Sequence, residues 1–229
     1  MWTLGLETST RSGSVAIWDG EHPPIEKSLG ANSQKHATTL FQTLDELLKE
    51  QNLTPRDLGR IAVSIGPGSF TGLRIGVVAA KTLAYTLNCE IKAIDTFLAV
   101  AHQAPEEITG LSVIGDAQRG DLFVGDYGRD EQSKWQMIDT IRIVSAVDFQ
   151  NSLTDSQVIA GPGLTRYSTQ LKNSTRLSED SLNLPHASAV CELAGRSDLP
   201  SVDHWSLQPL YLRKSSAEEK WEQKQNNKG

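Results

Sequence analysis

The chain has 229 residues, enough for one large domain or two small lobes with cores of their own. Hydrophobic residues make up 38% and charged residues 22%, which excludes an intrinsically disordered chain. Basic residues number 22 against 28 acidic ones, a net charge of −6, so autonomous tight binding of a polyanion is not expected and a partner would supply the positive charge.

The first elements are strands. "WTLGLETS" (Trp2 to Ser9) is a short apolar run, and "SGSVAIWDG" follows it with Val15 and Ile17 alternating against Ser14, Ala16 and Trp18. The two read as a β-hairpin turning at Thr10 to Ser12, with a weaker strand over Ile25 to Leu29. A helix begins at Ser33, because Ala37, Leu40, Phe41, Leu44, Leu47 and Leu48 recur at three- and four-residue spacing; it ends near Gln51 and Asn52. "RIAVSIG" (Arg60 to Gly66) is a continuously apolar strand of the kind covered on both faces. A glycine-rich turn then leads into a second helix, Thr71 to Leu87. "EIKAID" is the next strand, and Phe97 to Gln103 is helical.

"APEEITG" breaks the pattern at Pro105 and Gly110, which places a lobe boundary there. Residues 1–103 form the first lobe, 104–213 a smaller second one, and 214–229 a charged tail expected to be disordered. In the second lobe "LSVIGDAQRGDLFVGDYG" reads as two strands turning at Gln118 to Gly120, and "WQMIDTIRIVS" as a third. "SQVIAGPG" is a buried strand with a glycine loop, and "HASAVCELAG" a short helix closed by Gly195. No repeat of fixed period is visible. The order of strands and helices is that of an α/β, ribonuclease H-like unit, the build shared by the actin-like (ASKHA) superfold, followed by a reduced second lobe.

Met1 to Ser9 carries no secretory signal pattern, no apolar stretch reaches the about 18 residues of a membrane span, and Cys89 and Cys191 lack a spaced motif. A soluble cytoplasmic protein with reduced thiols, and no membrane partner, is the expectation.

"SIGPGSFTGLRIG" (Ser64 to Gly76) resembles a phosphate-cradling loop. A Walker A loop needs a second glycine five places on, followed by lysine; counting from Gly66 gives Thr71 and from Gly68 gives Leu73. The dinucleotide fingerprint fails as well, because Thr71 stands where the third glycine belongs. Ser69 and Thr71 at a helix start leave open a generic anion or nucleotide contact, beside the plainer reading of a helix cap and tight turn. In the helix that follows, Gly72, Gly76, Ala80 and Ala84 form a ridge of small side chains that admits another backbone. The rest of that helix is apolar nearly all round, so it needs cover on more than one side, from the second lobe or from a partner subunit.

Catalytic chemistry is poorly supported. His22, His36, His102, His186 and His204 form no H-x-x-x-H pair, and no C-x-x-C exists, so no protein-held metal is expected. Glu7, Asp19, Asp95 and Asp116 stand at strand ends, where acids hold Mg²⁺ in some ribonuclease H-like enzymes and form turns in many other proteins. The G-x-S-x-G nucleophile elbow is absent.

"GPGSFTGLRIG" resembles the hallmark of the bacterial TsaB (YeaZ) family. "LETSTRSGSVAIW", "QKHATTLFQTLDELL", "GDAQRGDLFVGDY" and "PLYLRK" resemble, in order, that family's first hairpin, first helix, second-lobe hairpin and C-terminal strand. The resemblance covers Leu4 to Arg213. It implies a non-catalytic subunit required for threonylcarbamoyladenosine formation in tRNA, one that binds and activates the TsaD transferase. TsaE, an ATPase, joins the pair, and the chain is a homodimer when TsaD is absent. ATP and metal are then expected on the partner subunits, no cofactor on this chain alone, and tRNA contact only indirectly. The docking face implied by the family is built from the first two helices, here His36, Leu40, Gly72, Arg74, Ile75, Val78 and Lys81. The rival reading is an autonomous ATP-dependent hydrolase or metallopeptidase-like enzyme of the same superfold. Two departures from the family stand out: Glu7-Thr8 replaces Asp-Thr, and Asp116-Ala117-Gln118 replaces Asp-Ala-Arg, with Arg119 one place on.

Overall fold

The first apolar runs pair as their alternation demands. In the computed structural model, which describes residues 1–30, 36–154, 157–171, 175–176, 180–196 and 198–213, β1 (Trp2–Glu7), β2 (Ser14–Trp18) and β3 (Ile25–Ser28) form an antiparallel meander. Strands β4 (Leu58–Gly66) and β5 (Glu90–Asp95) run parallel to β1 on its other side, giving the order β3-β2-β1-β4-β5. Helices α1 (His36–Glu50) and α2 (Phe70–Leu87) cover one face, where Leu40, Leu44, Leu47, Val77, Ala80 and Ala84 meet Leu4, Leu6, Ile61 and Val63. The other face is covered by α3 (Thr96–His102) and α6 (Ala187–Ala194), with Ala99, Ala189, Val190 and Leu193 against Ala62 and Ile94. Cover on both faces is why β1 and β4 read as unbroken apolar runs.

The second sheet contains β6 (Gly110–Gln118), β7 (Asp121–Arg129), β8 (Trp135–Met137), β9 (Arg142–Ser145), β10 (Val158–Ala160) and β11 (Thr175–Arg176). Its order is β11-β10-β6-β7-β8, with β9 also on β7. Again the first strand is central, its antiparallel partners lie on one side, and two parallel strands lie on the other. The two sheets repeat one topology, although no fixed period is visible in the sequence. The repeat extends to a loop: the strand parallel to the first strand of each half, β4 and β10, runs into Gly-Pro-Gly, at Gly66 to Gly68 and Gly161 to Gly163. The first glycine of each has a left-handed φ, 121° and 112°, which a side chain would oppose.

This is the two-lobed ribonuclease H-like/actin-like α/β architecture with a reduced second lobe. The reduction is physical: α4 (Ala146–Ser152) is short, α5 (Leu164–Tyr167) is a single turn, and β8 to β11 have two to four residues each.

Three expectations are corrected. "WQMIDTIRIVS" is not one strand but two, β8 and β9, each hydrogen-bonded to a different part of β7. "PLYLRK" is not a strand over its described residues; its one ladder-like contact is Leu210 N–H donating to Ile65 O at 2.7 Å. The helix counted with the second lobe, α6, packs against β1 and β2 of the first sheet. The expected helix start at Ser33 and the tail from residue 214 lie outside the described residues.

Candidate functional site

The glycine turn after β4 is seated on the end of β1. Ser69 N–H donates to Ser9 O at 2.7 Å, and Thr8 Oγ1 donates to Gly72 O at 2.8 Å. The Ser69 hydroxyl accepts from Gly72 N–H at 3.3 Å and caps α2. A Cβ on Gly72 would overlap the Thr8 carbonyl oxygen, so only glycine lets helix and strand meet there. Thus the amide and hydroxyl of Ser69 are committed inside the turn, while Thr71 faces solvent. The carbonyl of Ser9 and the amide of Gly72 account for the Ser69 amide and for the acceptor side of its hydroxyl without a ligand.

The small-residue ridge faces the same way. Gly72, Gly76, Ala80 and Ala84 are buried inside the chain against its own sheet. Of the residues expected at a partner surface, Leu40 is fully buried in the core and Gly72 lies under Thr8, so neither reaches the surface. Ile75 is half-buried against the core. His36 opens α1, and its side chain lies outside the described residues.

Two buried acids stand at strand ends. Glu7 is fully buried; its Oε1 accepts from both the amide and the hydroxyl of Ser9 at 2.5 Å, and its Oε2 lacks a hydrogen-bond partner. Burial pushes its carboxyl up to about 7, against the opposing effect of the Ser64 and Ser9 donors. Asp95 accepts from Phe97 N–H at 2.8 Å, capping α3, and from the Tyr127 hydroxyl of the second sheet. Burial raises its carboxyl to about 6. Asp19 is bound by the His22 ring and two turn amides, and Asp116 by Arg166 at 2.8 Å. The four acids serve separate local partners, and among the described residues no three His, Cys, Asp or Glu side chains gather as a metal site. Gln118 and Arg119 form the tip of the second-lobe hairpin, both in left-handed conformation ahead of Gly120.

The exposed side of α2 is a different strip, offset from the ridge. Arg74, Val78 and Tyr85 lie on it, with Val78 61% and Tyr85 65% exposed. The chain's last described segment runs along this strip. At one end Tyr211 stacks on Phe70, ring centroids 4.5 Å apart, and its hydroxyl accepts from Arg74 Nε at 2.8 Å. At the other end Trp205, 72% exposed, and His204 lie against Tyr85. Lys81 is spent between them: its ammonium donates to Trp205 O at 3.3 Å and Leu207 O at 3.2 Å. Part of the cover required by the over-apolar helix therefore comes from this chain's own C-terminal segment. Sequence reasoning missed Tyr85, Trp205 and Tyr211. Tyr85, seven residues beyond Val78, was visible as helical spacing; Trp205, 120 residues further on, carried no signal.

Comparison with known proteins bears on this arrangement. Residues 30–142 match the family model TsaD, tRNA N6-adenosine threonylcarbamoyltransferase. The tRNA threonylcarbamoyladenosine biosynthesis protein TsaB of Bacillus subtilis (strain 168) is 27% identical, over 96% of this chain and 98% of its own length. The TsaB of Escherichia coli (strain K12) is 25% identical, over 95% and 96%. The solved structure of YeaZ from Pseudomonas aeruginosa superposes with a TM-score of 0.79 at 25% identity, covering 92% of this chain and 99% of that one. The chain is similar over nearly its whole length to proteins of the TsaB (YeaZ) family. The names of these TsaB relatives support a role in threonylcarbamoyladenosine biosynthesis. The stretch that matches the TsaD model contains α1 and α2 entire, whereas the His204 to Tyr211 segment that frames α2 in this chain lies outside it. Among the described residues no helix is long and apolar enough to cross a membrane.

Proposed function

We propose that this TsaB-like chain is a non-catalytic subunit that binds and activates the TsaD-type transferase in forming threonylcarbamoyladenosine in tRNA. The observation that carries this reading is the exposed strip of α2, with Val78 turned to water between the Phe70–Tyr211 stack and the cluster that contains the exposed Tyr85. Apolar side chains held outward on a rigid helix favour association, because burying them removes that area from water. The glycine turn supports the reading from the other side: its polar groups are committed to capping α2 and to seating it on β1.

On this proposal ATP and metal belong to the partner subunits, a TsaE-type ATPase joins the pair, and tRNA is reached only through the complex. Alone, the chain pairs with a second copy through the same strip. A hydrolase acting alone would need an accessible acid or base; Glu7, the group best tuned for that role, is sealed from solvent.

The test is co-elution with the TsaD-type subunit of the same cell. Val78→Glu places a charge in the proposed contact and should abolish co-elution while the chain keeps its circular dichroism spectrum and cooperative unfolding. Normal co-elution of the variant, or a full level of the modified nucleoside in cells lacking this chain, overturns the proposal. So does ATP turnover by the isolated chain that is lost in Glu7→Ala.

A further inference from the structure

We propose that residues 210–213 are a strap that ties the two lobes to each other and limits how far they can open. At one end Leu210 N–H donates to Ile65 O at 2.7 Å, where β4 leaves the first sheet. At the other end the Arg213 guanidinium reaches the turn between β6 and β7 of the second sheet. It donates to Ala117 O at 2.7 Å and to Gln118 O at 3.4 Å, and it pairs with the Asp121 carboxylate at 3.1 Å.

The two residues between these joints are held as well. Tyr211 stacks on Phe70 of α2, and Leu212 packs on the apolar cluster that α3 shares with the second sheet. Four consecutive residues therefore touch both lobes. The joint at Arg213 is partly withdrawn from water, with the Arg213 side chain 24% and that of Asp121 30% exposed. Charge-assisted hydrogen bonds in such a place hold more firmly than an ion pair fully in solvent.

The lobes have another tie along α3. Phe97, Val100 and Ala101 pack there with Val113 and Phe123, and Asp95 accepts from the Tyr127 hydroxyl. Bodies joined along one helix can still rock about it, and a second tie removes that freedom. The three peptide units from Leu210 to Arg213 extend at most about 11 Å. While both joints hold, the end of β4 and the β6–β7 turn stay within that reach and one arginine side chain of each other. Wider opening has to break the bond at Leu210 or those at Arg213. This restraint is independent of whether α2 receives a partner.

The experiment compares the full chain with Arg213→Ala by two measurements. The first is hydrogen exchange at the Leu210 amide, followed by nuclear magnetic resonance. The second is the distance distribution between spin labels on one exposed position of each lobe, Gln42→Cys on α1 and Glu131→Cys between β7 and β8, in a Cys89→Ser background; Cys191 is fully buried and stays unlabelled. Arg213→Ala should speed Leu210 exchange about tenfold or more, the factor by which losing charged hydrogen bonds shifts a local opening equilibrium. It should also broaden the distance distribution. Unchanged exchange overturns the inference, because the joint at Leu210 then stands without the one at Arg213. Faster exchange with an unchanged distance distribution also overturns it, because the segment is then a frayed end and not a tie between lobes. If Arg213→Ala does not fold, Arg213→Lys, which keeps the charge and loses the fork, is read by the same two criteria.

Discussion

Glu7 ties the fold's stability to pH in a direction opposite to that of most carboxylates. The side chain is fully buried, and its ordinary value of 4.5 rises to about 7 because burial penalises the charge more than Ser9 and Ser64 favour it. A group whose folded value lies above its unfolded value binds its proton more tightly in the folded state. Its contribution is therefore complete below pH 4.5 and is lost as pH rises from there to about 7. At about 1.4 kcal/mol per pH unit, the loss across this window is about 3 kcal/mol, a large part of the stability of a small protein. Glu7→Gln keeps the size and the acceptor for Ser9 but carries no proton to lose. Urea unfolding at intervals from pH 5 to 8.5 should show the natural chain weakening relative to the variant, with the difference growing toward pH 7 and flat above it. A difference that stays constant over that range would show that Glu7 is not buried and neutral in the folded state, and would refute the reasoning.

Other substitutions separate core from surface. Gly72→Ala should cost about 1–3 kcal/mol or more, because the new methyl group meets the Thr8 carbonyl and α2 cannot rest on β1; thermal unfolding reads this as a lowered Tm. Leu40→Ala should remove about 2–5 kcal/mol of stability, since Leu40 is fully buried; a folded variant with normal stability and weakened partner binding would return Leu40 to the surface. Tyr127→Phe removes the donor that holds Asp95 across the two sheets and should cost about 1–3 kcal/mol in urea unfolding. That cost should be greater above pH 6, where the Asp95 carboxyl is charged, than at pH 4.

Much of the architecture was legible because burial on both faces writes itself as unbroken apolar runs, as in Arg60 to Gly66, and because α2 carries its own cap at Ser69. The small-residue ridge was legible too, but its meaning was not. Spacing of Gly72, Gly76, Ala80 and Ala84 says that a backbone comes close; it does not say whose. The backbone is that of Thr8, one residue past β1, and the exposed strip with Val78 and Tyr85 is another side of the helix. The aromatic turn stayed hidden for a different reason. Trp205 sits among polar residues and meets Tyr85 only through tertiary folding, which no local pattern encodes. The repeated topology was hidden because its two halves share connectivity while their side chains differ nearly everywhere.

One place where the halves do agree bears on the role of the glycine turn. In the first half Ser69 N–H binds Ser9 O just beyond β1, and in the second half Gly163 N–H binds Ile114 O of β6 at 2.9 Å. In both, the Gly-Pro-Gly turn after β4 or β10 is tied to the first strand of its own sheet or to the residues just past it. The joint sets how the strand parallel to the first one, β4 or β10, leaves its sheet in each half. What differs is the element launched: α2 has 18 residues, whereas α5 has 4. The joint is common and the long helix is particular to the first half, so the surface that distinguishes this molecule lies along α2 beyond the turn, where Val78 and Tyr85 face outward beside Trp205.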